Sequence, residues 1–251
     1  HGDRATLEKY RNIVMQTAEF MASYPVWQAA SNRFVLGPVV QSAQEIFPKD
    51  HTINPTFELT YWRWGLETAQ KWRERLGLAR EPKWDRVLQN LAKPATEEGK
   101  YLFTETATGT YTQKLWIKDH PAVTGALGML PGPGVDTETM RRTLDWIWTN
   151  WDWPDTWGWD YPMLAMCAAR LGEPDRAIDA LLLDTPKNHF GINGHNYQRP
   201  GLTIYLPGNG WLLYATAMMA AGWDGAPKKH APGFPDNGQW TVRYENLRVA
   251  P

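Results

Sequence analysis

Asn54-Pro-Thr-Phe-Glu-Leu-Thr-Tyr-Trp-Arg-Trp-Gly-Leu66 opens the helix whose reading decides the fold. Pro55 suits a helix start. Trp62, Leu66, Ala69, Trp72 and Leu76 then recur at helical spacing and mark one stripe, which stops at Gly77. Working upstream, Leu7, Tyr10, Val14, Ala18 and Met21 give the same periodicity over Ala5 to Tyr24. Downstream, helices are predicted over Pro82 to Leu91, Pro121 to Met129, Thr137 to Trp148, Tyr161 to Leu171, Pro174 to Leu183 and Gly210 to Ala221. Pro82 and Pro174 sit where a first-turn proline is tolerated.

Strand signal is thin, confined to Lys100 to Thr104, Tyr111 to Ile117 and Trp240 to Tyr244 as short hairpins or a closing strand. The connections alternate between tight ones, as at Leu171-Gly172-Glu173-Pro174, and long ones over Pro25 to Asn54 and Asp184 to Asn209. Long loops rich in aromatic, Asn, His and Gly residues are functional rather than disordered. Helical hairpins carrying elaborate loops at one end describe an all-α (α/α) toroid with a few short β-hairpins. A plain bundle is the alternative, and it would not need those loops. Residues 1–251 are read as a single helical domain.

The chain has 251 residues, with 26 basic and 27 acidic side chains and no basic run to track a phosphate backbone. Nucleic acid is therefore not an expected partner. No apolar stretch is long enough to span a bilayer. Aromatic residues make up 13% of the chain and include 15 Trp, more than packing demands, so some indoles are expected to face a ligand. Cys167 is alone, which leaves no intrachain disulfide or cysteine-rich metal site, and it reads as core. His189 and His195 do not match a zinc-binding helix spacing. A phosphate loop and a serine nucleophile elbow are both missing, and no cofactor or metal is expected. The opening HGDRATLEKY carries no apolar signal region, although a periplasmic or secreted location is favoured.

Three segments concentrate chemistry. Gly37 to Trp62 carries Glu45, Asp50, His51, Asn54 and Glu58 between two helices. Glu45, flanked by Ile46 and Phe47, has the partly apolar setting that raises a carboxyl pKa and makes it a proton donor, unless it is simply solvated. Trp151 to Pro162 interleaves Asp152, Asp155 and Asp160 with Trp and Tyr. Indole faces stack on pyranose rings and carboxylates between them bind hydroxyls or activate water; alternatively the indoles fill the core and Asp160 caps a helix. Asn188 to Trp211 holds Asn188, Asn193, His195, Asn196, Gln198 and Asn209 with Arg199 as the one cation. Neutral amides and imidazoles suit sugar hydroxyls, or else satisfy the backbone of a long loop.

Four strings together resemble the C-terminal portion of the (α/α)6-barrel catalytic domains of six-hairpin glycosidases. They are Thr17 to Tyr24 (TAEFMASY), Asn54 to Leu66, Trp157 to Met166 (WGWDYPMLAM) and Tyr205 to Leu213 (YLPGNGWLL). That group includes maltose and kojibiose phosphorylases and bacterial α-L-fucosidases, and the likeness to its bacterial members covers nearly the whole chain. In the phosphorylases a G-P-D-E segment supplies the general acid; here Gly37-Pro38 opens the like-placed stretch and the acid arrives at Glu45, with Glu58 as competitor. The fucosidase base lies in an I-D-G-N segment, where this chain reads L-P-G-N with Pro207 in place of the Asp. Such a toroid has twelve helices. The resemblance therefore implies an incomplete ring, completed by an N-terminal portion of the same protein or by a second chain.

The expectation is an inverting glycoside hydrolase acting on an oligosaccharide or polysaccharide. Glu45 protonates the glycosidic oxygen and Asp160, ahead of Asp155, activates water across a gap of about 6.5–9.5 Å. Trp157, Trp159, His51 and His195 position the sugar, with Asn54, Asn196 and Asn209 as hydroxyl partners. A glycoside phosphorylase, a non-catalytic carbohydrate-binding or sensing protein, and a purely structural toroid are the competitors.

Overall fold

The structure is a computed structural model, and it describes residues 3–251. Among them are eight α-helices, each starting where the local chemistry dictates. α1 (Arg4–Ser23) begins where the Asp3 carboxylate accepts the Thr6 amide at 2.8 Å, satisfying one of the orphan donors of a helix start. α2 (Thr56–Arg75) ends before Gly77, whose φ of 78° is the left-handed stop that glycine adopts without steric cost. α3 (Pro82–Asn90) and α7 (Pro174–Leu181) open on prolines, and α5 (Thr137–Asn150) is capped by Asp136 on the Thr139 amide. α6 (Asp160–Arg170) is buried at every residue from Asp160 to Ala169.

α2, α4 (Gly125–Gly128), α6 and α8 (Leu206–Ala221) each pack on the next and form a continuous inner row. α1 and α3 lie against α2, and α7 lies against α6. The predicted helix over Pro121 to Met129 contracts to a 3-10 turn, Ala122–Thr124, followed by the single turn of α4. Close docking explains this: a Cβ on Gly128 would stand 2.6 Å from the Met163 carbonyl and 2.9 Å from the Cys167 amide. Apolar residues of α4 to α8 form one core around Leu144, Ile147, Leu164 and Met218, and a second core joins α1, α2 and α3 through Met21, Leu66 and Trp84. Cys167 lies inside the first with its thiol pushed up to about 12 by burial. The ends of the inner row keep apolar side chains exposed, Tyr61 at 43% on α2 and Leu213 at 71% on α8.

Sheet structure differs from the sequence reading. β1 (Val26–Gln28) pairs with β2 (Arg33–Val35), and β5 (His189–Phe190) pairs with β6 (Asn196–Tyr197), neither of them predicted. β3 (Thr96–Glu97) pairs with β4 (Lys100–Tyr101), so the expected strand from Lys100 to Thr104 stops early. Beyond it the Phe103 carbonyl leaves the ladder and accepts the Thr56 amide at 3.0 Å, tying the loop to α2. Tyr111 to Ile117 forms turns and a 3-10 helix because the Tyr111 ring packs on Phe103 and Trp146. Trp240 to Tyr244 forms no strand and carries no regular secondary structure. The helix predicted from Gly210 starts earlier, at Leu206, with Pro207 in its first turn, where proline fits.

Candidate functional site

The loop before α2 is held at both ends of a three-residue stretch by carboxylates. Glu58 Oε1 on α2 accepts the Ala43 amide at 2.5 Å, and Asp119 Oδ2 accepts the Glu45 amide at 2.9 Å. Between them the Gln44 amide donates to the Trp116 and Lys118 carbonyls at 2.7 and 3.1 Å. Two residues of chain span at most roughly 7 Å. The Glu58 and Asp119 carboxylates therefore lie within roughly 12 Å of each other. Glu58 is partly buried, and loss of solvent lifts its pKa to about 7 although the Ala43 amide pulls the other way.

Asp119 joins this loop to the aromatic one. Its Oδ1 accepts the Trp157 indole N–H at 2.9 Å, while its carbonyl accepts the Trp151 indole at 3.2 Å. The backbone takes a left-handed φ of 61°, unusual for a residue with a Cβ, and its N–H donates to Asp155 O at 2.7 Å. Next along the chain, His120 is nearly buried and meets Asp160 Oδ1 through Nδ1 at 2.8 Å. Its Nε2 is 3.7 Å from Asp119 Oδ1. Burial alone would depress the imidazole, but the hydrogen bond to Asp160 and the negative charges of Asp160, Asp119 and Glu45 outweigh it and raise its pKa. Asp160 is itself raised to about 6, by burial first, against the opposing pull of His120 and the Trp157 amide.

Aromatic side chains wall this cluster. Trp159 lies 4.5 Å and Trp157 5.9 Å from the His120 ring, centroid to centroid. Tyr205 packs on Trp157 at 5.4 Å, and Trp211 on Trp159 at 6.1 Å. Beyond them Trp211 and Tyr214 line an open hollow of about 340 Å³ with Met129, Pro207 and Gly210. The Tyr205 hydroxyl is pushed up to about 12 by burial and by the charges of Asp160, Asp119 and Glu45, which places it in the same field. Two larger hollows, about 570 and 600 Å³, sit around Trp64, Glu67 and Tyr101. Neither contains this cluster, and neither gathers a comparable set of acid and imidazole groups.

The residues singled out from sequence are used in several ways. Glu45 is exposed at the mouth, held by its backbone rather than its side chain. Asp160 is fully buried with Oδ1 on His120 and Oδ2 on the Trp157 amide at 2.8 Å, so it has no face for a water and orients the imidazole instead. Asp155 is exposed and contributes its carbonyl to Asp119. Asn54 is at 0% exposure and is spent on structure, accepting the Leu36 amide and donating to Glu105. His51 stands apart, its side chain 82% exposed, on a cavity of about 180 Å³ shared with Phe47 and Trp116.

Asn196 is likewise buried and structural, its amide nitrogen donating to the Lys187 and His189 carbonyls. Asn209 bridges α8 to the β5–β6 hairpin, accepting the Asn196 amide and donating to Gly194 O. Gln198 fastens the same hairpin to the aromatic loop through the Gly158 amide and the Thr156 carbonyl. His195 is partly exposed on that hairpin, with its amide on Asn193. Many indoles serve packing: Trp62, Trp72 and Trp84 donate to Met21 O, Leu7 O and Glu19. Sequence reasoning missed Asp119, His120 and Tyr205. The Lys-Asp-His-Pro string at 118–121 was a legible signal, an acid beside an imidazole ahead of a proline-led turn. Among the described residues no cluster suited to a metal ion occurs, and no helix is long and apolar enough to cross a membrane.

No protein-family model matches the sequence, and no curated protein matches it. Among solved structures, the chain is similar to one described as a putative kojibiose phosphorylase from human microbiome, with a TM-score of 0.56 at 10% identity. The fold is a partial (α/α) toroid. The similarity covers 86% of this chain and 33% of the other, so the chain spans about a third of that toroid protein's length.

Proposed function

We propose that this toroid portion belongs to a glycoside-cleaving enzyme that uses carboxyl groups as its acid and base. The observation that carries the reading is the carboxyl pair itself: Glu58, lifted to about 7, is tied by one short loop to Asp119, which accepts the Trp157 indole N–H. A glycosidic bond breaks when its leaving oxygen is protonated, and a donor is most effective when its pKa is near the working pH. Glu58 has one oxygen on Ala43 and is partly protonated at neutral pH, which supports it as the donor. Glu45, on the same loop and open to solvent, is the second candidate. Trp159, Trp211 and Tyr214 offer ring faces to a saccharide.

The similar structure is described as a phosphorylase, which favours phosphorolysis as a second reading. The charge around His120 opposes it: Asp160, Asp119 and Glu45 all act on that imidazole. A phosphate dianion is repelled by such a field, whereas water is not. The exposed Tyr61 and Leu213 at the ends of the inner row support closure of the ring by further helices, from the same protein or a second chain.

The test is calorimetry of the full-length protein against an oligosaccharide panel, combined with product detection with and without inorganic phosphate. Release of free reducing sugar is expected. Sugar 1-phosphate would favour phosphorolysis, binding without release would favour a sensing protein, and neither binding nor release would overturn the reading.

A further inference from the structure

Resting on the glycoside-cleaving reading, the geometry points to Asp119 as the carboxylate that accepts the proton of the attacking water, with His120 and Asp160 as the positioning pair behind it. Hydrolysis with inversion needs a second carboxylate whose oxygens remain open. Asp160 fails that requirement, being sealed with both oxygens engaged. Asp119 meets it. Its side chain keeps 15% exposure, and each oxygen has one close donor, the Trp157 indole on Oδ1 and the Glu45 amide on Oδ2. A carboxylate oxygen accepts more than one hydrogen bond, so each keeps acceptor capacity for a water.

The side chain is aimed from all sides. The left-handed backbone of Asp119 is held by Asp155 O and the Trp151 indole, and such a conformation persists where the surroundings over-determine it. His120 presents Nε2 to Asp119 and Nδ1 to Asp160, and the charged groups facing it are Asp160, Asp119 and Glu45, with Trp157 and Trp159 on its ring. The imidazole, fixed by Asp160 on one nitrogen, thus stands beside Asp119 Oδ1 with the other.

In the step, water oxygen bonds to the anomeric carbon as its proton passes to Asp119. The glycosidic bond electrons go to the leaving oxygen, which takes a proton from the donor carboxyl. Asp119 then releases its proton to solvent and the donor is reprotonated. The bound of roughly 12 Å between the Glu58 and Asp119 carboxylates admits both the inverting separation of about 6.5–9.5 Å and the retaining one of about 5–5.5 Å, so the configuration of the product distinguishes them.

The experiment uses the full-length protein with 4-nitrophenyl α- and β-glycosides, and NMR titration of the His120 ring. Asp119→Asn is expected to lower kcat by about 10²–10⁴ with KM nearly unchanged. Azide added to Asp119→Ala is expected to restore turnover and yield the glycosyl azide of inverted configuration, which a merely structural role does not produce. His120→Gln is expected to move the acidic limb of kcat/KM upward, and Asp119→Asn to lower the His120 pKa. An Asp119→Asn enzyme within about tenfold of wild type would overturn the base assignment; so would failure of azide rescue. An unchanged His120 titration in Asp119→Asn would overturn the pairing whatever the activity. A wild-type protein that cleaves none of the glycosides would overturn the underlying reading and the base with it.

Discussion

Asp160 Oδ1 lies 2.8 Å from His120 Nδ1, and the carboxylate that makes this bond has no solvent exposure. Burying a charge is tolerated only when it is paired and hydrogen-bonded, and here the imidazole and the Trp157 amide supply both. The pair stands at the start of α6, buried from Asp160 to Ala169, so its protonation state is coupled to the core.

Removing one partner should therefore be costly. Asp160→Ala is expected to lose about 3–5 kcal/mol of unfolding free energy, because His120 is left buried without its counter-charge. Urea denaturation near pH 6 measures this, and a loss below about 1 kcal/mol, the range of surface pairs, would mean that the bond is a surface-like contact.

Stability should fall as pH rises through the neutral range. Glu58 at about 7 and Asp160 at about 6 lie above their ordinary values of 4.5 and 3.8, and His120 is raised from 6.5. The folded state thus holds more protons than the unfolded chain, so the slope of unfolding free energy against pH is negative. The Glu58 contribution is fully present below its unfolded value and disappears as pH passes 7. Thermal unfolding from pH 5 to 8 should show a declining Tm, with a shallower decline in Glu58→Gln; a Tm that rises over that range would refute the assigned shifts.

Gly158 and Gly208 clasp the Asn196 side chain. A Cβ on Gly158 would stand 1.8 Å from Asn196 Oδ1, and one on Gly208 would stand 2.5 Å from it. Gly158→Ala is expected to cost at least about 1–3 kcal/mol by overpacking. Adding Asn196→Ala to that variant should recover part of the loss, whereas Asn196→Ala alone strands the Lys187 and His189 carbonyls. Additive effects in this double-mutant cycle would show that the two sites do not touch.

The ring faces beyond the acid cluster should bind as well as pack. Trp211→Ala is expected to weaken oligosaccharide binding by about 0.5–1.5 kcal/mol, up to roughly tenfold in Kd, and to lower Tm because the ring also packs on the core. Calorimetry beside thermal unfolding separates the two effects, and an unchanged Kd would remove Trp211 from the saccharide platform.

The helices were legible because apolar spacing, prolines and caps act over a few residues; Pro82, Pro174 and Gly77 mark boundaries within a residue or two of those observed. The two- and three-residue strands carry too few side chains for an alternation to register, so the β1–β2 and β5–β6 hairpins went unread. Site residues were harder for a related reason. The string Trp157 to Asp160 advertised a site, but nothing local distinguishes Asp160, sealed at the start of α6 on His120 forty positions away, from Asp119, which keeps partial exposure and binds through its backbone to Asp155, thirty-six positions along the chain. Asn54 and Asn196 looked like sugar contacts because their backbone partners, Leu36 for one and Lys187 and His189 for the other, are brought to them only by the folded loops.

The central claim is that the mouth cleaves glycosides with a neutral-range carboxyl donor, and the pH–rate profile of Glu58→Gln tests it most directly. For the full-length protein on a glycoside that wild type cleaves, the account predicts kcat/KM lower by about 10²–10⁴ and loss of the alkaline limb near pH 7. An unchanged rate with the alkaline limb intact would contradict it.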